Sequence, residues 1–369
     1  MMRRLATLAV ACLLLPAIAG AVAARAGAPG TLQALPDMPT PRAAHSATLL
    51  RDGKVLLAGG CHARGCEEGI SEDALLFDPA RNTFVAAGKL AQPRVGHRAI
   101  LLQDGSVLLI GGWTPDGATA VVERYDPRTR RFSVHGRLLQ ARDGFSATVL
   151  ADGSILVAGG YAGTMQRLAS AERYDPRKRR STMAGAMATP RMAHTATLLA
   201  DGRVLVAGGS ASRDRLLDTL EAYDPATQRF SAAGTLRQAR HKHAAVRVGN
   251  AVLLLGGAGP REYEAQYADT ELWRDGQART TPGPRMAEAR YKFLDGVVAL
   301  GDGTALVVGS GHSAERLHAD TLRLEPVAGD VGAELSFTTA TRLADGRVLL
   351  AGGYDPRLQV ARQAWLFQP

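Results

Sequence analysis

Cysteine is scarce, with three in 369 residues, and the one long apolar run, 5–19, is shorter than the ~20 residues a membrane-spanning helix needs. No linker-like or low-complexity stretch divides the chain, so one large domain is expected. No Lys/Arg cluster argues for nucleic acid. A Gly-x-Ser-x-Gly nucleophile elbow, a phosphate-cradling glycine loop and a His-Glu-x-x-His helix are all missing, which removes the commonest hydrolase, nucleotide and zinc-protease signatures.

What is present begins with a leader. Met1-Met2-Arg3-Arg4, the apolar run and Ala21-Val22-Ala23-Ala24 read as a secretory signal peptide, residues 1–24, with cleavage expected after Ala23 or Ala24. The expected location is secreted or periplasmic, with no membrane span left after processing. Removing the leader takes Arg3 and Arg4 and lowers the net charge from +9 to +7, a mildly basic balance that suits acidic ligands. Cys12 leaves with the leader. Cys61 and Cys66 then remain in one loop, where a stapling disulfide is the expectation in an oxidising compartment. A metal site from the two thiolates and His62 lacks a fourth ligand nearby, so none is expected.

The mature chain is a repeat. Residues 191–209, RMAHTATLLADGRVLVAGG, contain two short β-prone runs joined by Asp201-Gly202, a dipeptide suited to tight hairpins, and end at Gly208-Gly209. A third strand, 219–225, stops at a proline and is followed by a turn and Phe230. The unit therefore predicts a four-stranded antiparallel sheet. Variants recur with hairpin dipeptides at Asp52-Gly53, Asp104-Gly105, Asp152-Gly153, Gly249-Asn250, Asp302-Gly303 and Asp345-Gly346. The first glycines of the doublets stand at 59, 111, 159, 208, 256, 309 and 352, a period near ~50 that marks propeller blades.

With its Gly-Gly doublets, its Tyr-Asp-Pro motifs (Tyr125-Asp126-Pro127, Tyr174-Asp175-Pro176, Tyr223-Asp224-Pro225, and Phe77-Asp78-Pro79 as a variant) and the aromatics after them (Phe84, Phe132, Phe230), the chain resembles a kelch-repeat β-propeller over residues 31–369. The resemblance implies an all-β, seven-bladed propeller of four-stranded antiparallel blades, with six blades as the alternative. The sixth unit, where Gly309-Ser310 replaces the doublet, and the last, which has no arginine at the Arg191 position, are the irregular ones. The chain stops after the third strand of its last repeat, and 31–35 can supply the missing strand and close the ring.

Strand direction puts the arginine-bearing lead-in turn and the loop after Gly-Gly on one face, and the Asp-Gly turns on the other. Six units place arginine at one repeat position: Arg42, Arg94, Arg142, Arg191, Arg240 and Arg290. One reading is a ring of guanidinium groups at the channel mouth, suited to carboxylate, sulfate or phosphate. Arginines at this position line the ligand face of some kelch proteins and bind acidic peptide segments, and the resemblance implies the same here. The other reading is structural, with each arginine paired to the glutamate that opens the third strand, at Glu123, Glu172, Glu221 and Glu271. Three residues on stand His45, His97, His194 and His243, or Phe145 and Phe293, a position that reads as packing. Trp113, Tyr161 and Tyr354 follow glycine doublets and add aromatics to the face, where they could stack on a sugar or a peptide side chain.

Two enzyme types share the architecture. A copper-radical oxidase like galactose oxidase needs a tyrosine cross-linked to cysteine, and Cys61 and Cys66 read as partners of each other. A sialic-acid-type mutarotase resembles the chain in size, leader and architecture, yet no diagnostic motif for it is present. The sequence reading is thus an exported binding module without cofactor or assigned catalytic activity, whose partner is an acidic ligand, a glycan or an envelope protein; the alternative is a carbohydrate-active propeller.

Overall fold

The computed structural model describes residues 30–163, 166–260 and 265–369. The leader with its expected cleavage site, and Glu262, Tyr263 and Glu264 of the fifth loop, lie outside them. Among the described residues the regular structure is β-strand, apart from one 3-10 turn at Arg64–Cys66.

The fourth repeat shows how the unit is built. Thr195–Leu198 pairs antiparallel with Val204–Ala207, that strand with Thr219–Asp224, and that one with Arg229–Thr235. At the hairpin, the Asp201 carboxylate accepts the Arg203 backbone N–H at 3.0 Å and Gly202 takes φ 89°, which is why Asp-Gly recurs. Val204–Ala207 is buried along its whole length, because both of its faces meet a neighbouring sheet. The Tyr-Asp-Pro motif divides its work: Tyr223 is fully buried with its ring 4.9 Å from that of Phe230, while Asp224 accepts the Ala226 N–H at 2.9 Å and closes the turn.

Five sheets have four strands each, and a sixth has eight. The eight-stranded one joins the second and third units, whose outer strands Arg131–Arg137 and Arg180–Ala186 meet in parallel at Arg137 and Arg180. The first strands touch in cyclic order, from Ser46–Leu49 to Arg98–Leu101 and on through Val297–Ala299 and Thr339–Arg342 back to Ser46–Leu49. Each seam between successive units holds its own apolar cluster, such as Leu57 and Phe77 of the first unit against Leu349 and Leu366 of the last. The last sheet takes its outer strand from the other end of the chain: Thr31–Ala34 pairs with Ala364–Gln368, from Thr31 opposite Gln368 to Ala34 opposite Trp365. Ala364–Gln368 therefore has a strand partner on both sides, and the last sheet has its four strands.

Candidate functional site at the channel mouth

The lead-in turns and the post-doublet loops do share a face. The residue after five of the six arginines bridges the residue after the doublet: Ala43 with Cys61, Val95 with Trp113, Asp143 with Tyr161, Met192 with Ser210 and His241 with Ala258.

The arginines themselves do not reach that face. Arg94, Arg142, Arg191, Arg240 and Arg290 are fully buried and Arg42 is 1% exposed. Arg191 shows why: one end of its guanidinium donates to the Gly208 and Thr219 carbonyls, both at 3.0 Å, and the other meets Glu221 at 2.5 Å. Arg94 pairs with Glu123 in the same way, Arg142 with Glu172 and Arg240 with Glu271. Each glutamate in turn receives backbone N–H groups from the lead-in turn of its unit, such as Leu139 and Gln140 on Glu172. Arg290 pairs with Glu315 at 3.5 Å, a partner the sequence reading passed over, and Arg42 donates to the Gly59 and Asp73 carbonyls and to Thr40. Burial lowers the pKa values of Arg94, Arg142, Arg191 and Arg290, and that of Arg42 to about 10. The expected ring of free guanidiniums is thus corrected: these groups tie the doublet and third strand to the lead-in turn, and a ligand at the mouth does not touch them.

The doublet serves the seam. The second glycine donates its N–H to the carbonyl of the next unit's arginine, as Gly60 to Arg94 at 2.9 Å and Gly209 to Arg240 at 2.9 Å. A Cβ on Gly208 would lie 2.5 Å from the Arg240 oxygen, and one on Gly209 2.7 Å from the Met192 oxygen, so no side chain fits. In the irregular sixth unit Ser310 takes φ 50° and donates to Leu335, which stands where the last unit lacks its arginine.

The histidines bridge units. His97 Nε2 lies 2.8 Å from Ser46 Oγ, His194 2.9 Å from Ser146, His243 2.9 Å from Thr195 and His45 3.0 Å from Thr339. Where the next unit has phenylalanine, the hydroxyl is gone: Arg98 faces Phe145, and Ala244 faces Phe293. Burial, and secondarily the neighbouring arginine, pushes the imidazole pKa values down, to about 3 for His97 and His194.

The mouth proper is lined by the residue two places after each arginine, with its equivalent in the last unit. Ala44, Gly96, Gly144, Ala193, Lys242, Lys292 and Phe337 all hold φ between 50° and 66°. At five seams the N–H of one donates to the carbonyl of the one before: Gly96 to Ala44, Ala193 to Gly144, Lys242 to Ala193, Lys292 to Lys242 and Phe337 to Lys292, at 2.8–3.1 Å. This girdle is small-residued over the first four units and cationic and aromatic over the last three.

Inside it lies a cavity of about 240 Å³, walled by Met192, Leu294, Phe337 and Tyr354 with Arg98, Asp143, Lys242 and Asp295. Below, the channel continues between the first strands. Arg98 reaches across it from the second unit to Asp295 of the sixth, at 3.3 Å, with side-chain exposures of 25% and 59%. Asp143 accepts from the Tyr161 hydroxyl, and burial raises its pKa. Sequence reasoning missed Arg98, Asp143, Lys242 and Asp295; Arg98 carried a signal, as the one charged residue at a position otherwise held by Ser, Thr, Ala or Leu.

Of the expected aromatics, Trp113 and Tyr161 pack with ring centroids 5.5 Å apart on neighbouring hairpins, Arg167 lies over Tyr161, and Tyr354 is 7% exposed against Phe337. Cys61 and Cys66 are joined by a disulfide, and Gly65 between them packs on Leu358 of the last unit. Among the described residues no three His, Cys, Asp or Glu side chains come together as metal ligands.

The kelch motif family matches residues 144–187 and 191–237, within the third and fourth units. Human kelch domain-containing protein 9 is 40% identical over 82 residues, which is 22% of this chain and 23% of that protein, so the match spans under a quarter of that relative. A solved structure described as a "Novel fungal alcohol oxidase with catalytic diversity among the AA5 family, in complex with copper" superposes with TM-score 0.72 at 18% identity, over 93% of this chain and 76% of that one. "Structure of YjhT" gives TM-score 0.60 at 13% identity, over 90% and 96%. At these identities the likeness is one of fold. The chain is a β-propeller carrying kelch motifs in its third and fourth units.

Proposed function

We propose that the chain is a seven-bladed kelch-type propeller, exported by its leader, that binds a ligand or partner at the channel mouth, with an acidic group of that ligand meeting Arg98. The observation that carries this reading is the mouth cavity, where the apolar walls Met192, Leu294 and Phe337 stand beside Arg98, inside a girdle joined by backbone amide-to-carbonyl links. Such a mixture of apolar wall and few polar groups is what small ligand sites are made of. The cyclic contact of the first strands supports seven blades, and the leader and the Cys61–Cys66 disulfide support export. Burial of the six arginines, five of them ion-paired, favours a binding surface over a catalytic pocket that would need several of them free.

The experiment is a binding screen of the mature chain against acidic glycans, carboxylate-bearing peptides and envelope protein fractions, repeated with Ala193→Phe and Arg98→Ala. Phenylalanine already stands at the equivalent Phe337 with nearly the same φ, 57° against 52°, so Ala193→Phe fills the mouth without straining the ring. Captured ligands are expected to lose binding at least about tenfold to both folded variants. Equal binding to both would overturn the mouth as the site.

A further inference from the structure

The repeats act as internal controls for one another, and by that measure the outer edge of the second and third units is unusual. The turn after the third strand reads Asp78-Pro-Ala-Arg-Asn-Thr83 in the first unit and Asp224-Pro-Ala-Thr-Gln-Arg229 in the fourth, but Asp126-Pro-Arg-Thr-Arg-Arg131 and Asp175-Pro-Arg-Lys-Arg-Arg180 between them. Arg128, Arg130, Arg131 and all four residues 177–180 are exposed, as is Arg137. The fold does not ask for them. Arg130 and Arg179 hold φ 55° and 54°, a left-handed conformation that asparagine tolerates better and that Asn82 supplies in the first unit at 52°. Of these cations, Arg128 and Lys178 meet a carboxylate, each at 3.7 Å within its own turn; the others have none among the described residues.

Two further features fall on the same edge. Arg137, at the far end of the second unit's outer strand, bridges Arg180 beside the third unit's turn, which carries the cationic edge from one unit to the next. On the two outer strands Val134 and Met183, at equivalent positions, are 59% and 54% exposed, where Ala86 and Ala232 stand in the flanking units.

We propose that this edge docks on an anionic lipid surface, with the arginines meeting headgroup phosphates and Val134 and Met183 entering the boundary between headgroups and acyl chains. Interleaved cations and bare aliphatic side chains suit a lipid interface. A single-stranded nucleic acid would use stacking aromatics instead, and here Phe132 and Tyr125 pack on each other, their rings 4.7 Å apart, with Tyr125 buried.

The test uses the mature chain and vesicles of phosphatidylcholine with or without phosphatidylglycerol, measured by co-sedimentation at low and physiological salt. Binding is expected to the anionic vesicles only and to weaken with salt. The variant Arg130→Asn, Arg131→Thr, Lys178→Thr, Arg179→Gln borrows residues that hold the same turn in the first and fourth units, and it is expected to lose at least about a hundredfold in partitioning. Val134→Ser with Met183→Ser should lose several-fold with every cation in place. No binding by the native chain, native-like binding by the four-site variant, or capture of duplex DNA in place of vesicles would each overturn the proposal. Should the four-site variant not fold, loss of native-chain binding in 0.5 M salt and its persistence there decide the same point.

Discussion

Ser46 Oγ lies 2.8 Å from His97 Nε2, across the seam between the first and second units, and the same hydroxyl-to-imidazole contact recurs at three other seams. Both partners are chosen together. Where phenylalanine replaces histidine in the next unit, as at Phe293, the hydroxyl is replaced by a residue such as Ala244. The histidine is therefore one of two ways to fill a seam, and only this one responds to protons.

That response has a definite sign. Folded His97 and His194 have pKa values near 3, while the unfolded chain titrates at its ordinary value of about 6.5. Between these values the unfolded state binds a proton the folded state refuses. The stabilising contribution is complete above pH 6.5 and falls by about 1.4 kcal/mol per pH unit per histidine as pH drops toward 3. Urea unfolding at pH 7.5 and pH 5 should show a loss well beyond that of Ser46→Ala/His97→Phe, which copies the Ala244–Phe293 seam. The double variant should lie within about 1.5 kcal/mol of native at pH 7.5 and lose about one proton from the acid slope.

Arg191→Ala should cost about 3–5 kcal/mol, because it leaves Glu221 buried without its cation. Arg42→Met should cost less, since Arg42 has carbonyls and Thr40 as partners and strands no carboxylate within hydrogen-bond reach. Thermal melts of the two variants rank them; an equal or larger loss for Arg42→Met would contradict the assignment of Glu221 as the sensitive partner.

Deleting residues 31–34 removes the strand that pairs with Ala364–Gln368 and frees the edge of the last sheet. The whole ring, not one sheet, should melt at lower temperature, and the protein should aggregate more readily. An unchanged melting temperature would refute closure by this strand.

Reduction of the Cys61–Cys66 bond opens a loop five residues in separation, so the loss of stability should be modest, about 2 kcal/mol. The effect on the mouth should be larger, because Gly65 and Cys66 line the cavity there. Ligand affinity and melting temperature, each measured with and without reductant, separate the two.

Much of this was legible in the chain itself. The Asp201-Gly202 hairpin, the doublet at Gly208-Gly209 and the completing strand at 31–34 were readable because each depends on local backbone preference or on a repeat count. The fate of the arginines was half legible: Glu123, Glu172, Glu221 and Glu271 were visible as partners. Glu315 was overlooked although Ser313-Ala314-Glu315 repeats Ser170-Ala171-Glu172. Counting charges suggested surplus cations; carbonyl oxygens at Gly59 and Asp73 hold Arg42 instead, and no composition argument sees those. The Arg98–Asp295 pair was beyond reach, since it joins residues 197 apart through the closure of the ring.

The girdle around the mouth separates shape from identity. Glycine, alanine, lysine and phenylalanine occupy one backbone state there, fixed by amide-to-carbonyl links between neighbours. At the five non-glycine places the same backbone state carries alanine, lysine or phenylalanine, whereas a Cβ at Gly96 would lie 2.4 Å from the Asp143 carboxylate, so what the opening presents can change at those five places without rebuilding the architecture that displays it.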